Sequence, residues 1–238
     1  MKIALIGYGK MGKAIEEIAL RRGHEVVLII DINNQSDLIK SNLVKADVAI
    51  EFTGPESACE NVMKCMKAGI PTVVGSTGWL AHLQEAQEAC KENQAALLVS
   101  SNFSVGVNIF FEINKRLAEL MQPHENYNVS LEEIHHTQKK DAPSGTAISL
   151  AEQILHTIDR KTKWVNRPET DPTELAIISK RIDPAPGTHT VIYSSEIDDI
   201  EIRHTAHNRK GFATGAVLAA EFLAGKKGIY SMSDVLGL

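Results

Sequence analysis

Residues 2–12 read KIALIGYGKMG, an apolar run that breaks on glycines and passes into helically spaced residues. That order gives Gly7-Tyr8-Gly9-Lys10-Met11-Gly12 meaning as a G-x-G-x-x-G motif, because the motif needs a strand before it and a helix after it. Glycines there let the backbone turn tightly and approach a pyrophosphate, whose charge is favoured by the free N–H groups of a helix N-terminus. The next apolar run, EVVLIID, ends at Asp31, about 20 residues on, where an acidic side chain accepts hydrogen bonds from an adenosine ribose. Strand, glycines, helix and acid together predict a dinucleotide site. Asp31 is followed by Ile32, Asn33 and Asn34, with no arginine to meet a 2'-phosphate, so NADH is favoured while Lys10 still tolerates NADPH. The apolar run is cut off too early by its glycines, and lacks a following small-residue cleavage site, for a secretory signal.

The pattern repeats outward from this stretch. DVAIEFT (47–53), PTVVGS (71–76) and ALLVSS (96–101) are further buried-strand runs, separated mostly by helical patterns such as PESACENVMKCMKAG and WLAHLQEAQEACKEN. Near-continuous apolar strands alternating with helices predict a parallel sheet covered on both faces, a doubly wound α/β domain of Rossmann type. Ligands of such sheets bind at the carboxyl ends of the strands. Gly75, Ser76 and Thr77, and Ser100, Ser101, Asn102 and Phe103, lie just past the fourth and fifth strands and are expected to line the nicotinamide half of the site.

After Asn102 the texture changes. A long helix pattern, VNIFFEINKRLAELMQ, leads to NVSLEEIHH, then to a helix, and then to ELAIISKRI, HTVIYSSE and DIEIRHTA. Strands in succession predict a second, α+β unit with a largely antiparallel sheet. The apolar helix ATGAVLAAEFLAG needs a large surface to cover and is expected to return to the first domain. The expected division is 1–106 plus 212–238 for the dinucleotide-binding domain and 107–211 for the second.

With 238 residues, 43% hydrophobic and 23% charged, the chain is an ordinary globular sequence. A net charge of -5 leaves no nucleic-acid footprint, and no apolar run reaches the roughly 20 residues of a membrane helix. Small molecules are the expected partners. Cys59, Cys65 and Cys90 are odd in number and unpaired in spacing, which predicts structural thiols in a reducing cytoplasm.

Residues 133–147 read EIHHTQKKDAPSGTA. Successive side chains of an extended segment point to opposite faces, so His135 and His136 do not chelate one metal, and the remaining histidines show no metal-ligand spacing. No metal is expected. Ser144, Gly145 and Thr146 open an amphipathic helix, where free N–H groups and hydroxyls converge as a carboxylate-binding site. Lys139 and an imidazole beside it can hold a second negative charge and move a proton near neutral pH. On these residues alone, a capped helix preceded by a solvated basic loop explains the stretch equally well.

The stretch is similar to an E-x-H-H-x-x-K-x-D-A-P-S-G-T-A signature, and with it the chain resembles the 4-hydroxy-tetrahydrodipicolinate reductase family of bacterial lysine and diaminopimelate biosynthesis. GSTG, NFSVGVN, GTHTV (187–191) and the tail HTAHNRKGFATGAVLAAEFLAGKKGIYSMSDVLGL (204–238) extend the resemblance to the full chain. Lys10 stands where many members carry arginine. The resemblance implies an NADH- or NADPH-dependent reductase of a small cyclic dicarboxylate. By the same resemblance His135 is a proton donor or acceptor, and Lys139 a proton donor that stabilises developing charge. His136, Gly145 and Thr146 bind substrate, with Ser144 close by. It also implies hydride delivery from a nicotinamide held between GSTG and SSNF, closure of the two domains, and a homotetramer assembled through the second domain's sheets. Aspartate-semialdehyde and homoserine dehydrogenases share the dinucleotide half, but no catalytic cysteine stands in a suitable motif here. A non-enzymatic NAD(H) sensor would have no need for histidine, lysine and a carboxylate nest together.

Overall fold

The computed structural model describes residues 1–169, 171–208 and 210–238; Thr170 and Arg209, the latter within the HTAHNRKG segment, lie outside the described residues. In chain order the elements are β1 (Lys2–Ile6), α1 (Lys10–Arg21), β2 (Glu25–Ile30), α2 (Lys40–Leu43), β3 (Val48–Glu51), α3 (Pro55–Ala68), β4 (Thr72–Val74), α4 (Leu83–Glu92) and β5 (Ala96–Val99). There follow α5 (Val105–Met121), β6 (Asn128–His135), α6 (Gly145–Thr157), β7 (Lys163–Val165), β8 (Glu174–Arg181), β9 (Gly187–Ser194) and β10 (Asp199–Ala206). The chain closes with α7 (Lys210–Leu223), β11 (Gly228–Tyr230) and α8 (Met232–Leu236). Two compact units result, Met1–Val105 with Lys210–Leu238, and Gly106–Arg209.

The first unit is a six-stranded sheet in the order β11-β5-β4-β3-β1-β2, and every strand pairing is parallel. Alternation along β1 explains its two covered faces. Ala4 and Ile6 pack with Val62, Met66 and Ala86 of α3 and α4, whereas Ile3 and Leu5 pack with Ile15 of α1 and Ala216 and Val217 of α7. Each of the larger of these side chains, the isoleucines, leucine, valines and methionine, contributes about 1.5–3 kcal/mol when removed fully from water. Local chemistry sets the ends of α3: Pro55 opens it and Gly69, at φ 74, closes it in the left-handed conformation. The final apolar helix does cover the first unit, as its composition predicts, but β11 escapes the sequence pattern because three residues are too few to show a period.

The second unit corrects one expectation. Its sheet, β10-β9-β6-β8-β7, is mixed: β10 with β9 and β9 with β6 are antiparallel, but β6 with β8 and β7 with β8 are parallel. The reason is that α6 lies between β6 and β8 in the chain and serves as the crossover that parallel neighbours require. Leu150, Ala151 and Ile154 of α6 and Phe110 and Ala118 of α5 pack against Leu131, Ile177 and Val191 of the sheet.

Candidate active site

Strand order reverses at β1, with β2 on one side and β3 on the other, and the glycine motif leaves the carboxyl end of β1 at that point. Two of its glycines are required by the chain itself. A Cβ on Gly7, at φ +96, would stand 2.2 Å from the Phe52 carbonyl oxygen, and one on Gly12 would stand 2.2 Å from that of Gly7. Gly9 is different: among the described residues nothing lies within 4 Å of an added Cβ, so their packing does not explain it. It faces a cavity of about 330 Å³ whose lining includes Gly7, Tyr8, Asp31, Phe52 and Thr53. Asp31 is exposed, and its Oδ1 accepts the Ile32 N–H at 2.8 Å. Lys10 is exposed at the start of α1, and the Tyr8 hydroxyl donates to Glu16.

A smaller cavity of about 200 Å³ is lined by Met11, Thr53, Gly54, Gly75, Ser76 and Thr77, among others. Gly75 admits the Phe52 ring, whose Cζ an added Cβ would meet at 2.1 Å, and Ser76 Oγ accepts the Thr53 N–H at 2.8 Å. The Ser100–Phe103 loop lines neither cavity. Ser100 Oγ donates to the Asn102 carbonyl, Asn102 Oδ1 accepts the Ser104 N–H, and Ser101 is exposed. Phe103 is 2% exposed and packs into the core, its ring centroid 5.6 Å from that of Phe52.

Glu51, Phe52 and Thr53 are the residues of this end that motif reading passes over. Burial pushes the Glu51 carboxyl above its ordinary range, against hydrogen bonds from Thr53, Ser76 and Asn61. The available signal was the DVAIEFT run, which ends where β3 meets β1, but that adjacency is a property of the sheet.

The second group of residues grows from β6. Its buried face carries Val129, Leu131, Glu133 and His135, so apolar alternation turns polar at the carboxyl end of the strand. Register places Glu133 opposite Ser179 on β8 and opposite His189 on β9. Both Glu133 oxygens accept the Ser144 N–H at 3.1 Å, and Oε1 accepts the Ser179 hydroxyl at 2.7 Å. Arg181 reaches Oε1 at 3.4 Å and also donates to the carbonyls of Lys139 and Asp141, tying the 136–144 loop down over the acid. Burial alone would raise the Glu133 carboxyl, but the adjacent His135 imidazole and hydrogen bonds from Ser144 and Ser179 hold it well below the usual carboxylate range.

His135 is 7% exposed, and its Nδ1 lies 3.3 Å from Glu133 Oε2, within ion-pair reach though off the line of a straight hydrogen bond. The His189 ring stands edge-on, with centroids 5.1 Å apart, and its Nε2 is 3.0 Å from Ser144 Oγ. Burial first, and then neighbouring His135, lowers His189 from 6.5 to about 4. His136 leaves the buried face and lines a cavity of about 300 Å³ with Gln138, Asp183 and Asn208 among others. Lys139 Nζ is 2.8 Å from both oxygens of Asp141.

Ser144 is 3% exposed and fully engaged: its Oγ accepts the Ala147 N–H as helix cap and pairs with His189. Gly145 is exposed and Thr146 half-buried beside it. As the first two residues of α6 they have no intrahelical acceptor for their amides. His135, Lys139, Ser144, Gly145 and Thr146 are thus gathered by one strand, loop and helix. Glu133, Ser179, Arg181 and His189 complete the set. The i, i+2 spacing of Glu133 and His135 was the sequence signal for the first, whereas the other three come from distant strands.

Among the described residues two groups bring possible metal ligands within 4.8 Å of one another. In the first, Glu133, His135 and His189, the carboxylate already accepts protein donors on both oxygens and His189 Nε2 is held by Ser144. In the second, Cys59, His82 and Glu85, burial first and then the charge of Glu85 raise the Cys59 thiol.

Both halves of the chain match known families. Residues 1–103 match "Dihydrodipicolinate reductase, N-terminus" and residues 106–236 match "Dihydrodipicolinate reductase, C-terminus". The chain is 50% identical over 236 residues to the 4-hydroxy-tetrahydrodipicolinate reductase of Christiangramia forsetii, covering 99% of this chain and 98% of that protein. It is 38% identical over 241 residues to the 4-hydroxy-tetrahydrodipicolinate reductase of Methanosarcina barkeri, covering 99% and 89%. In fold it is similar to the dipicolinate-bound dihydrodipicolinate reductase from Paenisporosarcina sp. TG-14, with a TM-score of 0.78, 24% identity and 97% of each chain covered.

Proposed function

The chain belongs to the dihydrodipicolinate reductase family, and from that premise we propose how its own residues serve the reaction. It is an oxidoreductase of lysine and diaminopimelate biosynthesis, a 4-hydroxy-tetrahydrodipicolinate reductase. The balanced reaction takes 4-hydroxy-2,3,4,5-tetrahydrodipicolinate, NAD(P)H and one proton to 2,3,4,5-tetrahydrodipicolinate, NAD(P)⁺ and water.

The first unit is a nucleotide-binding domain of Rossmann type, and the reduced nicotinamide, when bound, supplies the hydride. The open side of Gly9 and the free amides at the start of α1 suit a pyrophosphate, and Asp31 suits the ribose hydroxyls. NADH is therefore used at least as well as NADPH, the exposed Lys10 being the cation that keeps the second in play. Gly75, Ser76 and Thr77 edge the neighbouring cavity, which Met11 also lines.

In the second unit the amides of Gly145 and Thr146 and the Thr146 hydroxyl bind one substrate carboxylate, at a helix N-terminus that favours negative charge. Ser144 shapes that end from below, as its cap. His136 and Lys139 supply cationic or donor groups for the other carboxylate. His135 and Lys139 exchange protons with the substrate as hydride arrives and water leaves. The observation that carries this reading is Glu133, a buried carboxylate that gathers His135, the 136–144 loop and the start of α6 around itself. The same reading includes a cytoplasmic homotetramer, with β10 as an open sheet edge and Ile200 exposed on it.

The test is nicotinamide oxidation on supply of the substrate, in wild type, His135→Ala and Lys139→Ala. Each variant is expected to lose about 10²-fold or more in kcat, the scale of one positioned proton-transfer group. Wild-type turnover in both variants would remove the assignment.

A further inference from the structure

The buried acid does more than anchor a loop, because its two oxygens are used differently. Oε1 takes the Ser179 hydroxyl and the Arg181 guanidinium, both from β8. Oε2 faces the two imidazoles, with His135 Nδ1 at 3.3 Å and His189 Nε2 at 3.8 Å. His189 Nε2 has a nearer partner in Ser144 Oγ, at 3.0 Å, which leaves His135 as the imidazole that Oε2 serves. His135 Nδ1 is buried and has no other partner among the described residues. At the opposite end of the ring, Nε2 looks toward Gly187, where an added Cβ would stand 3.1 Å from it. A carboxylate accepts hydrogen bonds only, so a neutral imidazole beside it keeps its proton on the nitrogen that faces the acid.

We propose that Glu133 is the positioning residue of the reaction: it holds the His135 proton on Nδ1, so that Nε2 is the ring nitrogen that exchanges a proton with substrate, and Gly187 leaves that nitrogen uncovered. This rests on His135 as the acid-base group of the reading above. Glu133 itself touches neither substrate nor cofactor. Three would-be ligands converge on the same point, where Ser144, Ser179 and Arg181 already donate to the carboxylate and Oε2 still faces His135, so the cluster manages a proton. Replacing the carboxylate with an amide keeps the shape and reverses the logic. The Glu133→Gln oxygen can still accept from Ser144, Ser179 and Arg181, while its NH₂ turns toward Nδ1 and enforces the Nε2–H tautomer, the wrong one for exchange.

The experiment is ¹⁵N NMR of the full-length protein labelled at histidine, with the His135 signals identified by their loss in His135→Gln, alongside steady-state kinetics of Glu133→Gln and His135→Gln. The expected result is a neutral His135 protonated at Nδ1 in wild type and at Nε2 in Glu133→Gln. In Glu133→Gln kcat should fall about 10²-fold or more while KM stays within about threefold. A wild-type His135 protonated at Nε2 overturns the proposal even if Glu133→Gln does not fold. Loss of activity in His135→Gln with full kcat in Glu133→Gln overturns the proposal alone. Full activity in His135→Gln overturns the underlying assignment of His135 and the proposal with it.

Discussion

At the scale of single residues, charge decides both what enters the two sites and how the protein responds to acid. Asp31 is exposed, and its backbone and Oδ1 are held by Asn34 and Ile32. A 2'-phosphate beside that carboxylate meets like charge, whereas ribose hydroxyls meet an acceptor. Asp31→Ala is therefore expected to move the kcat/KM ratio toward NADPH. A native preference for NADPH that survives the substitution would show that Lys10 outweighs the acid. His189 sets a pH dependence of stability. Its folded value of about 4 lies below the ordinary 6.5 because burial, and then His135, disfavour its charge. Between those values the unfolded chain binds a proton that the folded chain refuses, so stability falls as pH drops and is complete above about 6.5. Glu133 acts in another window: its folded value is depressed, so its contribution is lost only on acidification below the ordinary carboxylate range. The second unit is expected to be about 2 kcal/mol less stable at about pH 5 than at about pH 7 on account of His189. Urea unfolding followed by Trp164 fluorescence, in a Trp79→Phe background, measures this. His204, also lowered by burial, acts in the same direction, so His189→Gln should remove part of the fall and leave part. An unchanged pH slope in that variant would contradict the assignment.

At the scale of elements, α6 is where stability and chemistry share parts. Its cap residue Ser144 donates its backbone N–H to Glu133, accepts the Ala147 N–H and pairs with buried His189. Ser144→Ala keeps the first of these and loses the other two. Losing the cap costs about 1 kcal/mol, and stranding a buried nitrogen costs about 1–3 kcal/mol, so Ser144→Ala should destabilise the second unit by about 2–4 kcal/mol. Ser144→Gly keeps most of the capping and should lie nearer the lower end. The same unfolding measurement checks both, and a cost below about 0.5 kcal/mol for Ser144→Ala would mean that the Ser144 to His189 contact is energetically idle. The crossover role of α6 also explains why β6 and β8 run parallel, which is what brings Ser179 and Arg181 to Glu133.

At the scale of the whole molecule, the first unit is discontinuous in sequence. α7 contributes Ala213, Ala216, Val217, Ala220 and Leu223, each 0% exposed, to the face formed by Ile3, Leu5, Val48 and Ile50. A chain ending at Asn208 lacks that cover, together with β11 and α8, and keeps α1 as the helix on that face of the parallel sheet. It is expected to lose the cooperative unfolding of the first unit and its affinity for dinucleotide, read by Trp79 fluorescence and by titration with NADH. Native-like unfolding in the truncated chain would show that α7 only decorates the sheet.

What the sequence determined by itself was everything carried by short-range order. Strand, glycine turn and helix around Gly7–Gly12, the apolar runs of a doubly wound sheet, and the apolar helix at 213–225 are all periodic or local. So is the 133–147 stretch, whose signature led to the family, because one strand, one loop and one helix start hold it. Tertiary structure alone decided what depends on which strands become neighbours. Phe52 closes over Gly7 and Gly75 because β3 lies beside β1 and β4. Phe103 turns into the core although its loop reads as a binding loop, because its ring packs against that of Phe52 and Gly215 admits its backbone carbonyl. The second sheet is mixed because a helix separates β6 from β8. Glu133 meets Ser179, Arg181 and His189 across gaps of 46, 48 and 56 residues, the first two bonds and the third contact following from register. Periodicity records which face a side chain takes within its own strand; the partner on the next strand is set by the pairing of the sheet, and no local pattern encodes it.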